Sequence, residues 1–354
     1  MEERMMILKM IEDGKVTAEE GLRLLEAIGK DEADSAKQDS HQSGRNKDTR
    51  EESPLSKLSG FFETAIQKVK EGDLDFNFGT LTEIDHVFQQ QNISPRSLKV
   101  SLENGSVDVV PWDKQDVRLE CQVKVYRVRD TEQAKEFFLK ESVFSATDET
   151  LLFETKTKSM KVVATLYVPQ SSYGRIKLYT FNGALKGEDL KADTFEANTT
   201  NGSIKTTNIE SKKASMETVN GSISCEQSQL QLLDAKTLNG SVKVSGSIQD
   251  ADVETVNGSI TYEMEASTDA GYVDLKTTTG SVKLLVSPAV RIEAKLKSNV
   301  GSINNRLADV EILDEKKEFA QRYMQLTGNQ AQEKRVKVHA VANTGSITVQ
   351  DKDS

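Results

Sequence analysis

The chain of 354 residues has few of the side chains that support covalent or metal chemistry. It contains two cysteines, three histidines, five prolines and one tryptophan. Cys121 and Cys225 are too few for a disulfide framework, and both fall at apolar positions of strand patterns, so we expect two free, buried thiols. His41, His86 and His339 stand far apart, with no two at metal-ligand spacing. The sequence therefore predicts neither a disulfide nor a metal site.

Long apolar runs and basic clusters are also missing. No segment approaches the roughly 18 consecutive apolar residues that a membrane span needs, and the N-terminus carries no signal-peptide cleavage site. The formal net charge is -10, and no Lys/Arg stripe suits phosphate contacts, which argues against nucleic acid as a partner. We expect a cytoplasmic protein, either free or attached peripherally to the membrane. The alternative is export to the cell surface by a non-classical route.

The first 80 residues divide into three segments. Residues 1–29 have the apolar spacing of two short amphipathic helices, and residues 30–53 lack aromatic and branched aliphatic side chains, which is typical of a disordered linker. Residues 54–80 predict an amphipathic helix that caps the repeats or lies on a membrane surface. The hairpin at 1–29 cannot bury its own stripe, so we expect it to dock onto a protein partner, a second copy or its own repeats. The expected docking residues are Ile7, Met10, Ile11, Leu22, Leu25 and Ile28.

A glycine-centred motif recurs nine times in the rest of the chain. Its best form is Thr-Val-Asn-Gly-Ser-Ile, and from Gly183 onward the intervals are 19, 19, 19, 18, 22, 21 and 44 residues. Positions -7, -5, -3, +2 and +4 around each glycine tend to be apolar or small, which indicates strands on both sides of a turn. The expected turn residues are Asn104, Gly105, Gly183, Asn201, Gly202, Asn220, Gly221, Asn239, Gly240, Asn257, Gly258, Gly280, Gly301 and Gly345.

Two folds fit this pattern. Asn-Gly is a strong signal for a tight hairpin, so antiparallel β-hairpin repeats are the alternative. A third apolar position, at Leu190, Ile209 and Ile248, and the near-constant period favour a coil with a third side. The sequence thus predicts a mainly β protein, in which residues 81–354 form a right-handed β-solenoid with coils of 19–22 residues. Stacking should align four side chains into an amide ladder: Asn201, Asn220, Asn239 and Asn257.

Two helices are expected inside the β region. One lies around Asp130 to Glu141. The other is a helical insertion near 311–335, around EILDEKKEFAQRYMQL, placed before the final coil. The last interval of 44 residues is twice 22, so we expect it to span either a degenerate coil or an insertion. The helical insertion would serve either as a partner contact or as a cap.

Residues that would carry catalysis are not evident. The chain has no phosphate-binding glycine loop, no Gly-x-Ser-x-Gly and no calcium-binding nonapeptide. Asp234, Asp250, Asp252 and Asp274 could line a groove, but we assign them to different repeat positions with no Lys or Arg cluster beside them. Solvated turn residues are therefore the preferred interpretation. Asn-Gly-Ser is also a glycosylation sequon, but its periodicity has a structural explanation. We expect neither an enzyme nor a cofactor.

With the hairpin and the repeats in view, the whole chain resembles the YvlB/LiaX-like proteins of Gram-positive bacteria. These couple a short N-terminal helical module to a β-strand-repeat domain of the candidate-adhesin type. The likeness rests on residues 7–28, ILKMIEDGKVTAEEGLRLLEAI, and on the serial NGSI, NGSV and TGSV motifs up to the final NTGSI. The resemblance implies a role in the cell-envelope stress response, where a LiaX-like member senses or answers membrane-active antimicrobial peptides and modulates a membrane-bound signalling system.

Two hypotheses about function follow. The leading one is a non-enzymatic interaction and regulatory protein, whose hairpin engages a membrane-associated envelope-stress component or a second copy. The alternative is a carbohydrate-binding or carbohydrate-cleaving β-helix that acts on cell-wall polymers. The alternative predicts a groove with aromatic residues and paired carboxylates, whereas the only tryptophan, Trp112, lies outside the main repeat run.

Overall fold

The structure is a computed structural model that describes residues 80–352, except 267, 269 and 318–320. The predicted hairpin at 1–29, the linker at 30–53 and the predicted helix up to residue 79 lie outside the described residues. Within the described part, 22 strands and one α-helix are joined by a continuous system of strand pairings. No helix in this part of the chain is long and apolar enough to cross a bilayer.

The N-terminal part of the described region mixes antiparallel and parallel pairing. Strand β1 pairs antiparallel with β3, and β3 pairs antiparallel with β6, while β2 lies parallel to β5 and β6. The short β4 pairs antiparallel with β5. The elements are β1 Leu81–Gln90, β2 Ser97–Trp112, β3 Val117–Tyr126, α1 Thr131–Glu141, β4 Ser142–Ala146, β5 Thr150–Thr155 and β6 Met160–Pro169.

Helix α1 covers one side of this region. Asp130 caps it, because its carboxylate accepts a hydrogen bond from the backbone N–H of Gln133 at 2.8 Å. Ala134 and Phe138 are the buried residues of the helix, and Phe138 packs against Phe88 of β1 with ring centroids 5.9 Å apart. The expected helix around 130–141 is confirmed, and its apolar face explains where it docks.

From β7 onward the chain forms a parallel array of repeats. Most repeats contribute a long strand and then a short strand, which stack in separate parallel ladders, whereas β12 and β13 each continue from a short segment into the next long one. The elements are β7 Ser172–Asn182, β8 Leu185–Glu188, β9 Lys191–Asn201, β10 Ile204–Thr207, β11 Glu210–Asn220, β12 Ile223–Asn239, β13 Val242–Asn257, β14 Ile260–Met264, β15 Gly271–Thr279, β16 Val282–Val286, β17 Arg291–Val300, β18 Ile303–Arg306, β19 Val310–Lys317, β20 Arg322–Gly328, β21 Arg335–Thr344 and β22 Ile347–Asp351.

The pairing register excludes antiparallel hairpin repeats for the array. Asn182 lies beside Asn201, Asn201 beside Asn220 and Asn220 beside Asn239, all in parallel strands. The 19-residue interval is therefore the length of one coil, as the spacing predicts. The right-handed sense of the coil stays a prediction.

The final coil does not lie at the end of the array. Strand β21 pairs parallel with β15 on one side and with β17 on the other, and β22 lies between β16 and β18. The coil around Gly345 is thus placed between those around Gly280 and Gly301. The 44-residue interval arises because the chain first forms the Gly301 coil, one coil position beyond the Gly280 coil. It then reverses direction through β19 and β20, and the Gly345 coil is inserted between the Gly280 and Gly301 coils.

The expected helical insertion near 311–335 is wrong. Strands β19 and β20 form an antiparallel pair, and β20 also pairs antiparallel with β17, so this hairpin closes the array. Met324 and Leu326 alternate inward from β20, whereas most of β19 is exposed. Helix propensity is a weak preference, and strand pairing overrides it because the edge of β17 offers unpaired backbone groups.

The core runs along the inside of the array. Position +4 after successive glycines holds Thr206, Cys225, Val244 and Tyr262, which are stacked in register and fully buried. Cys121 and Cys225 are free and buried, as the sequence predicts. Burial raises the pKa of the Cys121 thiol to about 12, so this side chain acts as a small apolar residue.

Candidate functional site

The repeat turns are corners between the two ladders. In each regular coil the long strand ends at asparagine, glycine forms the bend, and the short strand begins two residues later, as from Asn201 to Ile204. The amide ladder forms along this corner: Asn201 donates to Asn182 at 2.7 Å, and each following asparagine donates to its predecessor at 2.9 Å. Asn182 belongs to the ladder although its repeat reads Phe-Asn-Gly, which made it easy to overlook.

Glycine is required at the corner by close backbone packing. A Cβ atom on Gly202 would lie 1.8 Å from the carbonyl oxygen of Gly183, and one on Gly221 would lie 1.9 Å from that of Gly202. The Gly202 N–H donates to the carbonyl oxygen of Asn220 in the next coil at 2.9 Å. The glycines therefore allow the coils to approach and hydrogen-bond.

A threonine three residues before the glycine adds a second row of hydrogen bonds. The Thr218 hydroxyl donates to the Gly202 carbonyl oxygen at 2.9 Å, and the Thr237 hydroxyl donates to that of Gly221 at 2.9 Å. Both threonines are buried. The sequence pattern identified position -3 only as apolar or small, so it missed this polar role. The turn residues thus hold neighbouring coils together.

The outward side of the long strands carries a set of charged residues that we call the charged face: Asp234, Lys236, Asp252, Glu254, Asp274, Lys276 and His339. Asp234, Asp252, Asp274 and His339 occupy one row across neighbouring strands. The expectation that these aspartates stand at different repeat positions without lysines is wrong. Each lies six residues before its glycine, and the unequal intervals of 18 and 22 residues conceal the alignment.

The aspartates and lysines of this face are paired with one another. The Lys236 ammonium lies 2.9 Å from Asp234 and 3.4 Å from Asp252, so it bridges two coils. Lys276 donates to Asp274 at 2.7 Å, and the Nδ1 of His339 lies 3.2 Å from the other oxygen of the same carboxylate. Asp250, the remaining aspartate of the expected groove, instead accepts from the backbone N–H of Tyr272 at 2.9 Å.

Two carboxyl groups of the charged face have pKa values that are shifted in opposite directions. Burial alone would raise the pKa of Asp274, but the hydrogen bonds from His339 and Lys276 outweigh it and hold that pKa below its usual value. Burial, followed by the nearby Asp252 carboxylate, raises the pKa of Glu254. Asp274 is therefore a stabilised anion, whereas Glu254 is a carboxylate whose ionisation is opposed by its surroundings.

This arrangement distributes charge along the array rather than concentrating it at one point. Among residues 80–352, apart from the few not described there, no group of three or more His, Cys, Asp or Glu side chains could hold a metal ion. Trp112 is not part of the charged face: it lies at the end of β2 and stacks on Tyr167 with ring centroids 5.3 Å apart. The carboxylates that the carbohydrate-acting alternative expects are thus present as a row of aspartates, but Trp112 does not lie beside them.

A second feature is a polar groove at the beginning of the long strands, with a volume of about 460 Å³. Its first wall is Ser172, Lys191, Glu210, Gln229 and Ser247, and its second wall, two residues further along each strand, is Asp193, Lys212, Gln231 and Gln249. Ala192, Ser211 and Leu230 lie between the walls in each strand, with their side chains buried on the core side. Sequence reasoning missed this groove, because its polar residues look like ordinary strand-end positions.

Comparison with known proteins now places this parallel array in a family. Residues 97–350 match the Toastrack DUF4097 family, and residues 2–33 match the SHOCT-like domain. The chain therefore belongs to the Toastrack DUF4097 family. It is 43% identical over 359 residues to the uncharacterized protein YvlB of Bacillus subtilis strain 168, with 98% of each chain covered. The YvlB-like part of the expected resemblance is confirmed, and the link to LiaX-like members stays a prediction.

Two solved structures are more distant. A candidate adhesin from Bacteroides fragilis NCTC 9343 is 12% identical, with a TM-score of 0.37 over 77% of this chain and 98% of that one. A candidate cell adhesion protein from Clostridium sporogenes ATCC 15579 is 11% identical, with a TM-score of 0.24 over 77% and 100%. With TM-scores below 0.5, neither structure supports an inference about this chain.

Proposed function

We propose that the protein is a non-enzymatic interaction and regulatory protein of the cell-envelope stress response. The repeat array acts as a rigid scaffold, and the segment at 1–29 engages a membrane-associated protein partner or a second copy. This engagement would modulate a membrane-bound signalling system or answer membrane-active antimicrobial peptides. The protein would act in the cytoplasm, peripheral to the membrane.

The observation that supports a scaffold is the internal pairing of the charged face. Lys236 bridges Asp234 and Asp252 of adjacent coils, and Lys276 pairs with Asp274 within one strand. A catalytic acid or base must be placed beside one reacting atom with a matched pKa. A row of ion-paired groups that links neighbouring coils suits a stable surface better than a reaction centre.

The amino-acid pattern at 1–29 supports the docking role. Its apolar stripe is too small to form a core of its own, and the resemblance to LiaX-like proteins supplies the link to envelope stress. The stripe must therefore find an apolar partner surface, and a regulatory contact with another protein would provide one.

Affinity capture from a Gram-positive host tests this proposal. Full-length protein, the double variant Ile11→Glu/Leu25→Glu and the control Glu12→Gln are used as bait, with and without envelope stress. Membrane signalling proteins should be recovered with the wild type and the control but not with the double variant. Equal recovery by all three baits would overturn the docking role.

A further inference from the structure

We propose that the polar groove binds an uncharged, extended oligosaccharide that lies along the stacking direction and crosses five coils. The groove includes Ser172 at one end and Ser247 and Gln249 at the other. Neighbouring strands are about 4.8 Å apart, so four steps between five coils span about 19 Å. A ligand that fills the groove must therefore be a short polymer rather than a single small molecule.

The charge of the groove points to a neutral ligand. Lys191 lies 2.6 Å from Glu210 along the first wall, and Lys212 lies 2.7 Å from Asp193 along the second. Two cations and two anions thus neutralise each other within the walls. The rest of the lining consists of serine, glutamine, alanine and leucine side chains, which carry no charge.

The glutamines supply unused hydrogen-bonding groups. Within the described residues, the side-chain amides of Gln229, Gln231 and Gln249 form no hydrogen bond with the protein, and all three residues are exposed. Each amide offers two donor hydrogens and one acceptor oxygen. Sugar hydroxyls both donate and accept, so they match such amides better than a group that can only accept or only donate.

The direction of the groove favours a glycan over a peptide. The strands run across the groove, and the backbone groups of these coils are already paired with the coils on either side. A peptide could not join the sheet here, so it would lose the main-chain hydrogen bonds that give strand addition its affinity. A glycan needs only side-chain partners. In a chain of sugars linked through opposite sides of each ring, the length of one sugar unit is close to the spacing between neighbouring coils.

The space between the walls is narrow and polar. Ala192 and Leu230 belong to the core, and their side chains alternate with the exposed wall residues, so the groove is bounded mainly by the wall side chains and the backbone between them. The hydroxyls of a sugar chain that lies between the walls can reach the side chains on both sides. The inference goes beyond the proposed function, because it concerns the array and not residues 1–29.

Isothermal titration of the full-length protein with chitotetraose, an uncharged tetramer of N-acetylglucosamine, tests the site. Three proteins are compared: the wild type, the double variant Gln231→Ala/Gln249→Ala, and Gln122→Ala, which removes an exposed glutamine from β3. The wild type and Gln122→Ala should bind equally. The groove variant should bind at least tenfold more weakly, with unchanged thermal unfolding, since both of its substituted side chains are exposed.

Two further ligands separate the explanations. N-Acetylglucosamine alone should bind far more weakly than the tetramer, because it contacts one coil at a time. An uncharged peptide of serine, glycine and glutamine should not bind. No binding of the tetramer, equal binding by the groove variant, or binding of the peptide instead would overturn the proposal, and none of these results would alter the capture experiment on residues 1–29.

Discussion

At the scale of the residue, glycine at the corner of each coil is explained by contact rather than by turn conformation alone. At Gly280 φ is 146°, which disfavours other residues, but a Cβ would also meet the Gly258 carbonyl oxygen at 2.0 Å. Gly221 has the same close contact to the preceding coil. The asparagine before each glycine adds a side-chain ladder, so the two residues of the Asn-Gly pair have separate roles.

Replacing Gly221 by alanine should destabilise the array by about 2–4 kcal/mol, because the new methyl group overlaps a backbone carbonyl that cannot move without shifting its coil. Urea unfolding measures the loss. Gly174→Ala is the matched control, since the nearest atom to its Cβ would be 3.7 Å away. Similar stability losses for both variants would contradict the contact explanation.

The threonine row gives a second prediction. Thr218→Val keeps the shape of the side chain but removes its bond to the Gly202 carbonyl oxygen, so the free energy of unfolding should fall by about 1–2 kcal/mol. Thr261→Val is the control, since Thr261 is only partly buried and its side chain has no hydrogen bond within the described residues. Chemical denaturation should show a larger loss of unfolding free energy for Thr218→Val than for Thr261→Val. Equal losses would mean that the threonine hydrogen bond does not stabilise the array.

The charged face predicts stability changes of opposite sign. Asp274 has a lowered pKa, so its contribution is present above the ordinary aspartate pKa of about 3.9 and is lost as pH falls through its lower folded value. Asp274→Asn should therefore cost about 1 kcal/mol at pH 7 and progressively less as the medium becomes more acidic than about pH 4.

Glu254 should behave in the reverse way. Its raised pKa means that ionisation opposes folding, so Glu254→Gln should stabilise the protein at pH 7 by up to about 1 kcal/mol, and the gain should vanish below the ordinary glutamate pKa of about 4.3. Unfolding curves from pH 3 to pH 8 measure both effects. Destabilisation by Glu254→Gln at neutral pH would show that the carboxylate is well paired.

At the scale of the element, the sequence predicts what depends on local pattern. The period around Gly202 and Gly221 predicts the coil, and Asp130 with the following residues predicts α1. The strand at 310–317 could not be predicted, because its partners are brought to it by the fold and outweigh its helical composition. The row of Asp234, Asp252 and Asp274 was within reach of the sequence, but it emerges only when positions are counted from each glycine.

The order of the coils was not predictable from spacing. The repeat around Gly345 could follow the Gly301 coil at the end of the array or lie between the Gly280 and Gly301 coils. Its sequence does not distinguish the two positions, since each coil presents similar edges to both neighbours. The antiparallel hairpin of β19 and β20 fixes the choice, because β20 occupies the outer edge of β17. The remaining edge of β17 is then the only one left for β21.

This order predicts an unusual response to truncation. Removing residues 335–354 deletes β21 and β22, so β15 and β17 lose their common neighbour. Repeat arrays gain stability from adjacent contacts, so amide exchange should accelerate across residues 271–328 while β7 to β11 keep their protection. A chain lacking only the last two residues serves as the control. Unchanged protection of β17 would mean that it can pair directly with β15.

At the scale of the whole molecule, the chain joins a regular parallel array to an N-terminal segment with an apolar stripe of its own. The array has a charged face in which lysines pair with aspartates, and a polar groove whose two lysines pair with two acids. The two proposed interactions involve different residues: residues 1–29 for the protein partner, and the groove residues of the array for the oligosaccharide.

The central claim is that residues 1–29 attach the protein to a membrane-associated partner during envelope stress. The most direct measurement is the membrane-bound fraction of full-length protein in a Gram-positive host, before and after challenge with a membrane-active antimicrobial peptide. This fraction should rise on challenge for the wild type and for Glu12→Gln, but not for Ile11→Glu/Leu25→Glu. An equal rise in the double variant, or no rise in any protein, would contradict it.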